Sequence, residues 1–457
     1  MKLEFHGAAG GVTGSHMVLD SGDLRIGIDA GLFQGEDTDR NQDGFGHDPS
    51  RLKAMILTHA HVDHSGRIPL LVKEGFRGPV YCTHATRDLC QIMLQDSAHL
   101  MEEAAEMERR HAREMRRPPR PPLYMGKEAE RAMHQFKSVD YFKDFRLNDI
   151  SVRFQYAGHI LGSTVVEMAI GKKKLVCSGD LGRPDTPILR DPQRVDEADW
   201  LVLESTYGDL EHERMPDRGR RLFQIVSETV EEGGNVVIPA FAIGRTQEIL
   251  YELNPFAESG KLSGVRCFVD SPIAISASEI YSRHPECFDQ ETLDLIKSGD
   301  SPLEFPGMEY ARSRKDSKAI NEIKEPHIVI SASGMCTGGR VLHHLMQNIE
   351  RKESTILCVG YQAEGTLGRR MLEGAKKVQI MNREFDVRAR IESMDAFSAH
   401  AGKSEILQWL RSFRRFPSQV FLNHGEEHAT EELAEAIRSE FGARVSIPKM
   451  NQSFNLE

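Results

Sequence analysis

An apolar strand running straight into a dense cluster of metal-binding side chains constrains this chain more than any other stretch. Ala54-Met55-Ile56-Leu57 is followed by Thr58-His59-Ala60-His61-Val62-Asp63-His64. The apolar run reads as a buried strand, and Ile68–Glu74 beyond it as a helix. Residues two apart on an extended segment project to one side, so His59 and His61 can grip one cation. Asp63 and His64 fall at the turn into the helix and can face a second. A polar surface loop is the alternative, but three imidazoles and a carboxylate within six residues at a strand end fit it poorly.

Four residues cannot close two sites, so further ligands must come from other strand ends. His159 follows the strand Ser151–Tyr156, in Gly158-His159-Ile160-Leu161-Gly162, and Asp180 follows the strand Lys174–Ser178. Both are loop positions where sites on layered α/β folds gather. Asp180 is a candidate bridge, because two carboxylate oxygens can serve two cations about 3.5–4 Å apart. Another histidine pair sits near the end of the chain, in Asn423-His424-Gly425-Glu426-Glu427-His428.

The rest of the pattern organises the chain around these ligands. The first fifty residues read as short strands, Lys2–Phe5, His16–Leu19 and Leu24–Asp29, joined by Gly-rich corners. A charged helical stretch from about residue 85 to 117 ends at Pro118-Pro119-Arg120-Pro121-Pro122. After the strand Leu201-Val202-Leu203 the order alternates. Helix (Gly219–Glu232), strand (Asn235–Pro239), helix (Thr246–Leu253) and strand (Val265–Val269) are followed by His327–Ser331, Gly339–Gln347 and Thr355–Val359. Such alternation favours a parallel sheet. At 457 residues two domains are the expectation, arranged as one α/β module inserted into another.

Composition narrows the setting. A formal net charge of −11 speaks against a globally basic nucleic-acid binder but not against a nuclease, whose local field and bound cations matter more. The seven scattered cysteines contain no Cys-x-x-Cys pair, which argues against a disulfide framework and a thiolate zinc site. The first residues carry no secretory h-region and no apolar run is long enough to span a bilayer, so a cytoplasmic protein without membrane partners is expected.

Taken together, Asp29, His59-x-His61-x-Asp63-His64, His159 and Asp180 resemble the metallo-β-lactamase superfamily. The inserted module and the later blocks resemble its β-CASP nuclease branch, of the RNA-processing, cleavage/polyadenylation-endonuclease-like type. Those blocks are Leu203-Glu204-Ser205-Thr206-Tyr207-Gly208, Phe397-Ser398-Ala399-His400-Ala401-Gly402 and Leu422-Asn423-His424-Gly425-Glu426. The resemblance covers essentially the whole chain. It implies an α/β fold: an αββα sandwich formed by residues 1–200 and 386–457, with a parallel-sheet β-CASP domain, 201–385, inserted. It implies two Zn²⁺ per chain, with Mn²⁺ as a substitute. His59, His61 and His159 would hold one ion and Asp63, His64 and His424 the other, with Asp180 bridging. Asp29 would orient the histidine loop, and His428 would lie on a solvated helix face.

The implied chemistry is hydrolysis of RNA phosphodiesters, endonucleolytic, 5′–3′ exonucleolytic or both, in RNA processing or decay, with RNA and a second copy of the chain as partners. The two ions would supply a nucleophile near neutral pH and neutralise phosphate oxygens. Asp63 belongs to the catalytic set with Glu204 and His400. The Glu204 carboxylate would keep the His400 imidazole protonated for the leaving oxygen. Ser331-Ala332-Ser333-Gly334 leads into a Gly338-Gly339-Arg340 helix start and offers hydroxyls and N–H groups to an anion. It also resembles the β-CASP stretch that handles the 5′ phosphate side of RNA, and Arg245 occupies a similar strand-to-helix corner. The basic run Arg109, Arg110, Arg113, Arg116 and Arg117, preceded by Glu102, Glu103, Glu106 and Glu108, reads as a solvated, salt-bridged helix. The competing readings are a DNA nuclease of the same branch, disfavoured by His424, and a small-molecule hydrolase of the lactamase fold, which would lack the inserted module. A non-catalytic RNA-binding subunit should have lost ligands, and none is lost.

Overall fold

A computed structural model describes residues 1–114, 118–212, 217–360, 362–363 and 365–456. These residues form two compact units. The first comprises Met1–Asp185, Asp191–Glu211 and His400–Glu457, and the second Thr186–Arg190 and His212–Ala399.

The first unit contains two seven-stranded sheets. In the first sheet Gln452–Asn455, Lys2–Gly7, His16–Asp20 and Arg25–Ile28 run antiparallel, then Ala54–Ile56, Val80–Cys82 and Phe136–Ser138 continue in parallel. The second repeats the scheme. Phe145–Leu147, Ile150–Tyr156, Thr164–Ile170 and Lys173–Cys177 are antiparallel, followed by Trp200–Glu204, Gln419–Asn423 and Arg444–Ser446 in parallel. Side chains from both sheets, among them Phe5, Ile28, Ile56, Phe154, Leu175 and Phe421, share one buried core. The second sheet's other face packs on the helices Lys403–Leu410 and Glu427–Phe441 through Leu201, Leu203, Ile406, Leu410, Leu433 and Ile437. Alternate strand residues therefore serve two cores, as the pleat requires. Fully burying such an aliphatic side chain contributes roughly 1.5–3 kcal/mol, enough in sum to hold the polar strand ends in fixed positions.

The second unit is built on a six-stranded sheet, every pairing parallel, in the order Met308–Tyr310, Arg266–Val269, His327–Ser331, Val236–Pro239, Thr355–Val359, Arg390–Met394. Val236 and Ile238 enter the core formed with helices Arg218–Glu231 and Arg245–Glu258. Val237 enters the opposite core, with helix Val341–Asn348. Both faces are covered, which explains why these strands read as continuous apolar runs.

The domain boundaries differ from those expected. Residues 201–211 belong to the first unit because Trp200–Glu204 is paired on both sides, with Lys173–Cys177 and Gln419–Asn423. Residues 386–399 belong to the second because Arg390–Met394 extends its sheet beside Thr355–Val359. All seven cysteines are buried. No helix among the described residues is long and apolar enough to cross a membrane.

Candidate metal centre

The strand Ala54–Ile56 is wholly buried and ends where Thr58 and the histidine loop begin. Thr58 takes both oxygens of Asp29, its N–H donating to Oδ1 at 2.8 Å and its hydroxyl to Oδ2 at 2.9 Å. Asp29 Oδ2 also lies 2.7 Å from His64 Nδ1, which points His64 Nε2 away from Asp29. Asp29 itself sits at φ +55, a sparsely populated region for a residue with a Cβ. The one-turn helix Val62–Ser65 follows. Gly31 is required beside it, since a Cβ there would overlap the Asp63 carbonyl.

Around this loop two groups of donor atoms converge on Asp180. In the first group His59, His61, His159 and Asp180 place one donor atom each within 4.8 Å of one another. His61 Nδ1 lies 3.2 Å from His59 Nε2 and 3.1 Å from His159 Nε2. Asp180 Oδ2 lies 3.4 Å from His59 Nε2 and 3.5 Å from His159 Nε2. In the second group, Asp63, His64 and His424 also fall within 4.8 Å. His424 Nε2 is 3.0 Å from His64 Nε2 and 3.5 Å from Asp63 Oδ2, and Asp180 Oδ1 is 3.2 Å from His64 Nε2. Thr206 Oγ1, 3.2 Å from His424 Nδ1, leaves Nε2 of that ring to the group.

These separations suit a cation. Four donors at about 2.0–2.1 Å in a tetrahedron stand about 3.3–3.4 Å apart. The donor set of imidazoles and carboxylates suits zinc-type ions. Asp180 Oδ1 is moreover buried and, although 3.2 Å from His64 Nε2, makes no well-aligned hydrogen bond, an arrangement that costs free energy unless something positive meets it. For His59 and His61 electrostatics agree, whereas His64, between the Asp180 and Asp29 carboxylates, is held above its ordinary pKa against the effect of burial. Burial, reinforced by the neighbouring His64, holds His59 well below its ordinary pKa, and burial takes His61 down to about 4. Both therefore present unprotonated nitrogens at neutral pH. Burial opposes ionisation of Asp180 and Asp63, yet facing imidazoles win, so Asp180 is held well below the usual carboxylate range and Asp63 at about 2.

A third group, Asp180, Glu204 and His400, is of another kind. Glu204 is buried at the end of its strand and accepts the Leu181 N–H at 2.6 Å. His400 Nδ1 lies 3.1 Å from both Glu204 oxygens, and its Nε2 faces Asp180 Oδ2 at 4.0 Å. Burial would lower the His400 pKa, but the Glu204 charge and hydrogen bond override it and raise it to about 9.

Other candidates lie elsewhere. His428 is on the exposed face of helix Glu427–Phe441, near Glu432. In the second unit Ser331 is buried and its hydroxyl donates to the Asp270 carbonyl at 2.8 Å. Arg245 is buried, with Nη1 on Glu248 at 2.7 Å. Arg245 Nε, by contrast, is buried with no hydrogen-bond partner. Ser333 and Gly334 lie in the more open turn beyond, where the Ser333 hydroxyl accepts from the N–H groups of Thr337 and Gly338. Arg109 and Arg110 pair with Glu106 on an exposed helix; Arg116, Arg117 and the side chain of Arg113 lie outside the described residues. Sequence reasoning missed Thr58 and Thr206. A hydroxyl residue directly before the first histidine, or two after Glu204, was the available signal.

Comparison with known proteins adds to this geometry. Residues 10–215 match the metallo-beta-lactamase superfamily, 246–371 the Beta-Casp domain, and 384–448 the Zn-dependent metallo-hydrolase RNA specificity domain. The chain is 35% identical to a ribonuclease of Thermus thermophilus, across 99% of each chain. It is 31% identical to an RNase J-like protein of Methanocaldococcus jannaschii, across 95% of each. It is 30% identical to a transcription termination factor FttA of Cenarchaeum symbiosum, covering 100% of this chain and 71% of the relative. Among solved structures, a protein of unknown function from Enterococcus faecalis matches 100% of this chain and 99% of its own with a TM-score of 0.56 at 12% identity, a likeness of fold.

Proposed function

Because the chain belongs to the β-CASP branch of the metallo-β-lactamase superfamily, we propose that it is a metal-dependent ribonuclease that hydrolyses RNA phosphodiester bonds in RNA processing or decay. The observation that carries this reading is Asp180, whose two oxygens face two separate donor groups while the Glu204–His400 pair stands beside it. The relatives' names as ribonucleases support RNA as substrate.

In this reading His59, His61 and His159 would hold one Zn²⁺ and Asp63, His64 and His424 the other, with Asp180 contributing a carboxylate oxygen to each group. Bound there, two such ions supply a nucleophile at neutral pH and offset the charge on the phosphate oxygens. Asp29 keeps His64 in the tautomer whose Nε2 is bare, and Thr206 does the same for His424. His400 carries its proton on Nε2, directed to the side on which Asp180 lies, and delivers it to the leaving oxygen of the cleaved strand. Glu204 acts through His400 by keeping that proton in place. Ser333 and Gly334 receive the RNA phosphate in the second unit. They lie at the carboxyl end of a parallel strand, where ligands of open α/β sheets gather. The likeness to ribonucleases along the whole chain fits a cytoplasmic setting.

The test is direct. Purified protein is incubated with labelled RNA and matched DNA bearing 5′-hydroxyl, monophosphate or triphosphate ends, and its metal content is measured in parallel. Cleavage of RNA with about two zinc ions per chain is the expected result. Preferential cleavage of DNA, or protein that loads no ion and cuts neither strand, would overturn it. The product map decides between endonucleolytic and 5′–3′ exonucleolytic action.

A further inference from the structure

A second imidazole network lies behind the donor groups. His16, the first residue of the strand His16–Asp20, is fully buried. Its Nδ1 lies 2.6 Å from the main-chain oxygen of Asp29, and its Nε2 lies 2.7 Å from His47 Nε2. A carbonyl oxygen can only accept, so Nδ1 carries the proton in the first contact. His16 Nε2 is then the acceptor, and His47 Nε2 the donor. Burial together with the neighbouring His47, Arg67 and His6 keeps His16 neutral, its pKa held well below the ordinary value. The ring of His6 stands 5.1 Å from that of His47 and 5.8 Å from that of His16. Its nitrogens, however, turn to Asn451 Oδ1 and Glu4 Oε2, at 3.0 and 3.2 Å. The three imidazoles therefore do not converge on a common point as His59, His61 and His159 do, and the network is not a third cation seat.

What the network does is hold one peptide. The unit joining Asp29 and Ala30 has its oxygen on His16 Nδ1, while its N–H, that of Ala30, donates to the His64 carbonyl at 2.7 Å. The same peptide follows Asp29 in its positive-φ conformation. From there the Asp29 carboxylate reaches Thr58 and His64. Were the peptide to turn, a buried carbonyl would lose its partner, the Asp29 carboxylate would shift and the main chain at His64 would lose a bond.

We propose that His16 is a positioning residue for the metal centre, setting through the Asp29–Ala30 peptide the orientation of His64 and hence the affinity of the Asp63–His64–His424 group for its ion. The inference rests on the reading that this group binds a cation. It makes the effect selective, because Asp29 touches His64 directly, whereas it reaches His59 Nδ1 only through the Thr58 hydroxyl.

The experiment compares His16→Asn, whose amide nitrogen can stand where Nδ1 stood, with His16→Gln, whose amide reaches the Nε2 position and leaves the carbonyl bare. His16→Leu removes both. Zinc affinity is read by competition with a chromophoric chelator, resolving the two ions, on proteins whose apo forms have been compared by circular dichroism and thermal unfolding. His16→Gln and His16→Leu should weaken one ion by about 10–100-fold, the usual cost of losing a group that orients a ligand, while the other ion keeps its affinity. His16→Asn should bind both ions nearly as the wild type does. If His16→Leu does not fold, the Asn–Gln contrast decides alone. Equal weakening in Asn and Gln, or loss of both ions together, overturns the inference. A wild-type protein that binds no zinc overturns the metal reading with it. Normal zinc binding and RNA cleavage by the wild type, with Asn and Gln alike, isolate the failure to His16.

Discussion

On one side of the pocket His61 sits among His59, His159 and Asp180 with its pKa down at about 4; on the other His400 sits against Glu204 with its pKa up at about 9. In both cases burial alone would strip the proton from the ring. Both rings feel the charges of Asp63 and Asp180, and the difference is the direct hydrogen bond to a further carboxylate. Glu204 lies 3.1 Å from His400 Nδ1 through both oxygens, whereas the contacts of His61 Nδ1 are ring nitrogens of His59 and His159. A bare nitrogen can hold a cation; a charged ring can only repel one and donate a proton. One buried pocket can therefore carry a ligand set and an acid side by side, provided each imidazole has the right neighbour.

The comparison predicts a graded series of losses. Asp180→Asn should be the most severe, since Asp180 faces both donor groups: bound zinc should fall below the wild-type stoichiometry and RNA cleavage to background, measured by elemental analysis and single-turnover assay. Undiminished zinc would remove Asp180 from the ligand set. His400→Ala should retain both ions while losing about 10²–10⁴-fold in turnover, the usual contribution of a positioned acid. RNA affinity should fall far less, because the interaction forms mainly in the transition state. Loss of an ion in this variant would erase the division between the two sides of the pocket.

Glu204→Gln should cost less. A raised pKa keeps His400 protonated from acid pH up through neutrality, and activity that needs this proton declines as pH rises through that pKa. Bound cations repel the imidazolium, so in the loaded enzyme the decline sits below about 9. Without Glu204 the limb moves further toward acid. An imidazole near its ordinary value of about 6.5 is only about one-tenth protonated at pH 7.5, a loss on the order of tenfold there. A pH–rate profile identical to wild type would show that Glu204 does not govern the His400 proton. The smallest effect belongs to His428→Ala. Its side chain is 76% exposed, and rate, zinc content and unfolding midpoint should all stay close to wild type.

Much of this was legible in the sequence. The strand ending at the histidine loop, the strand–helix alternation and the loop positions of His159 and Asp180 follow from period and spacing. The weak elements were not. Helices Pro272–Tyr281, Gln290–Lys297 and Arg314–Ile320, and the hairpin Lys377–Ile380 with Arg383–Asp386, have no counterpart in the sequence reading. Short elements carry too few turns for their periodicity to stand out, and packing against a sheet stabilises them where local preference does not. Ser331 and Arg245 show a related limit of local pattern. A Gly-rich strand-to-helix corner predicts open N–H groups and hydroxyls, but which side chains point outward depends on the layers laid over the sheet.

By itself, then, the sequence determined the kinds of chemistry present. His59-x-His61-x-Asp63-His64 can be read as ligands because their mutual geometry is set within six residues by bond lengths and backbone dihedrals. Tertiary structure alone decided what each remaining group became. Nothing local brings His424 Nε2 to 3.0 Å from His64 Nε2, or Glu204 to His400 across nearly two hundred residues. Parallel pairing of Trp200–Glu204 with Gln419–Asn423 places Ser205 and His424 on adjacent strand ends, and the His424 N–H donates to the Ala8 carbonyl beyond the first sheet's strand Lys2–Gly7. Protonation was decided there too, because an imidazole's pKa depends on burial and on charges within a few ångströms, and those are properties of the folded neighbourhood.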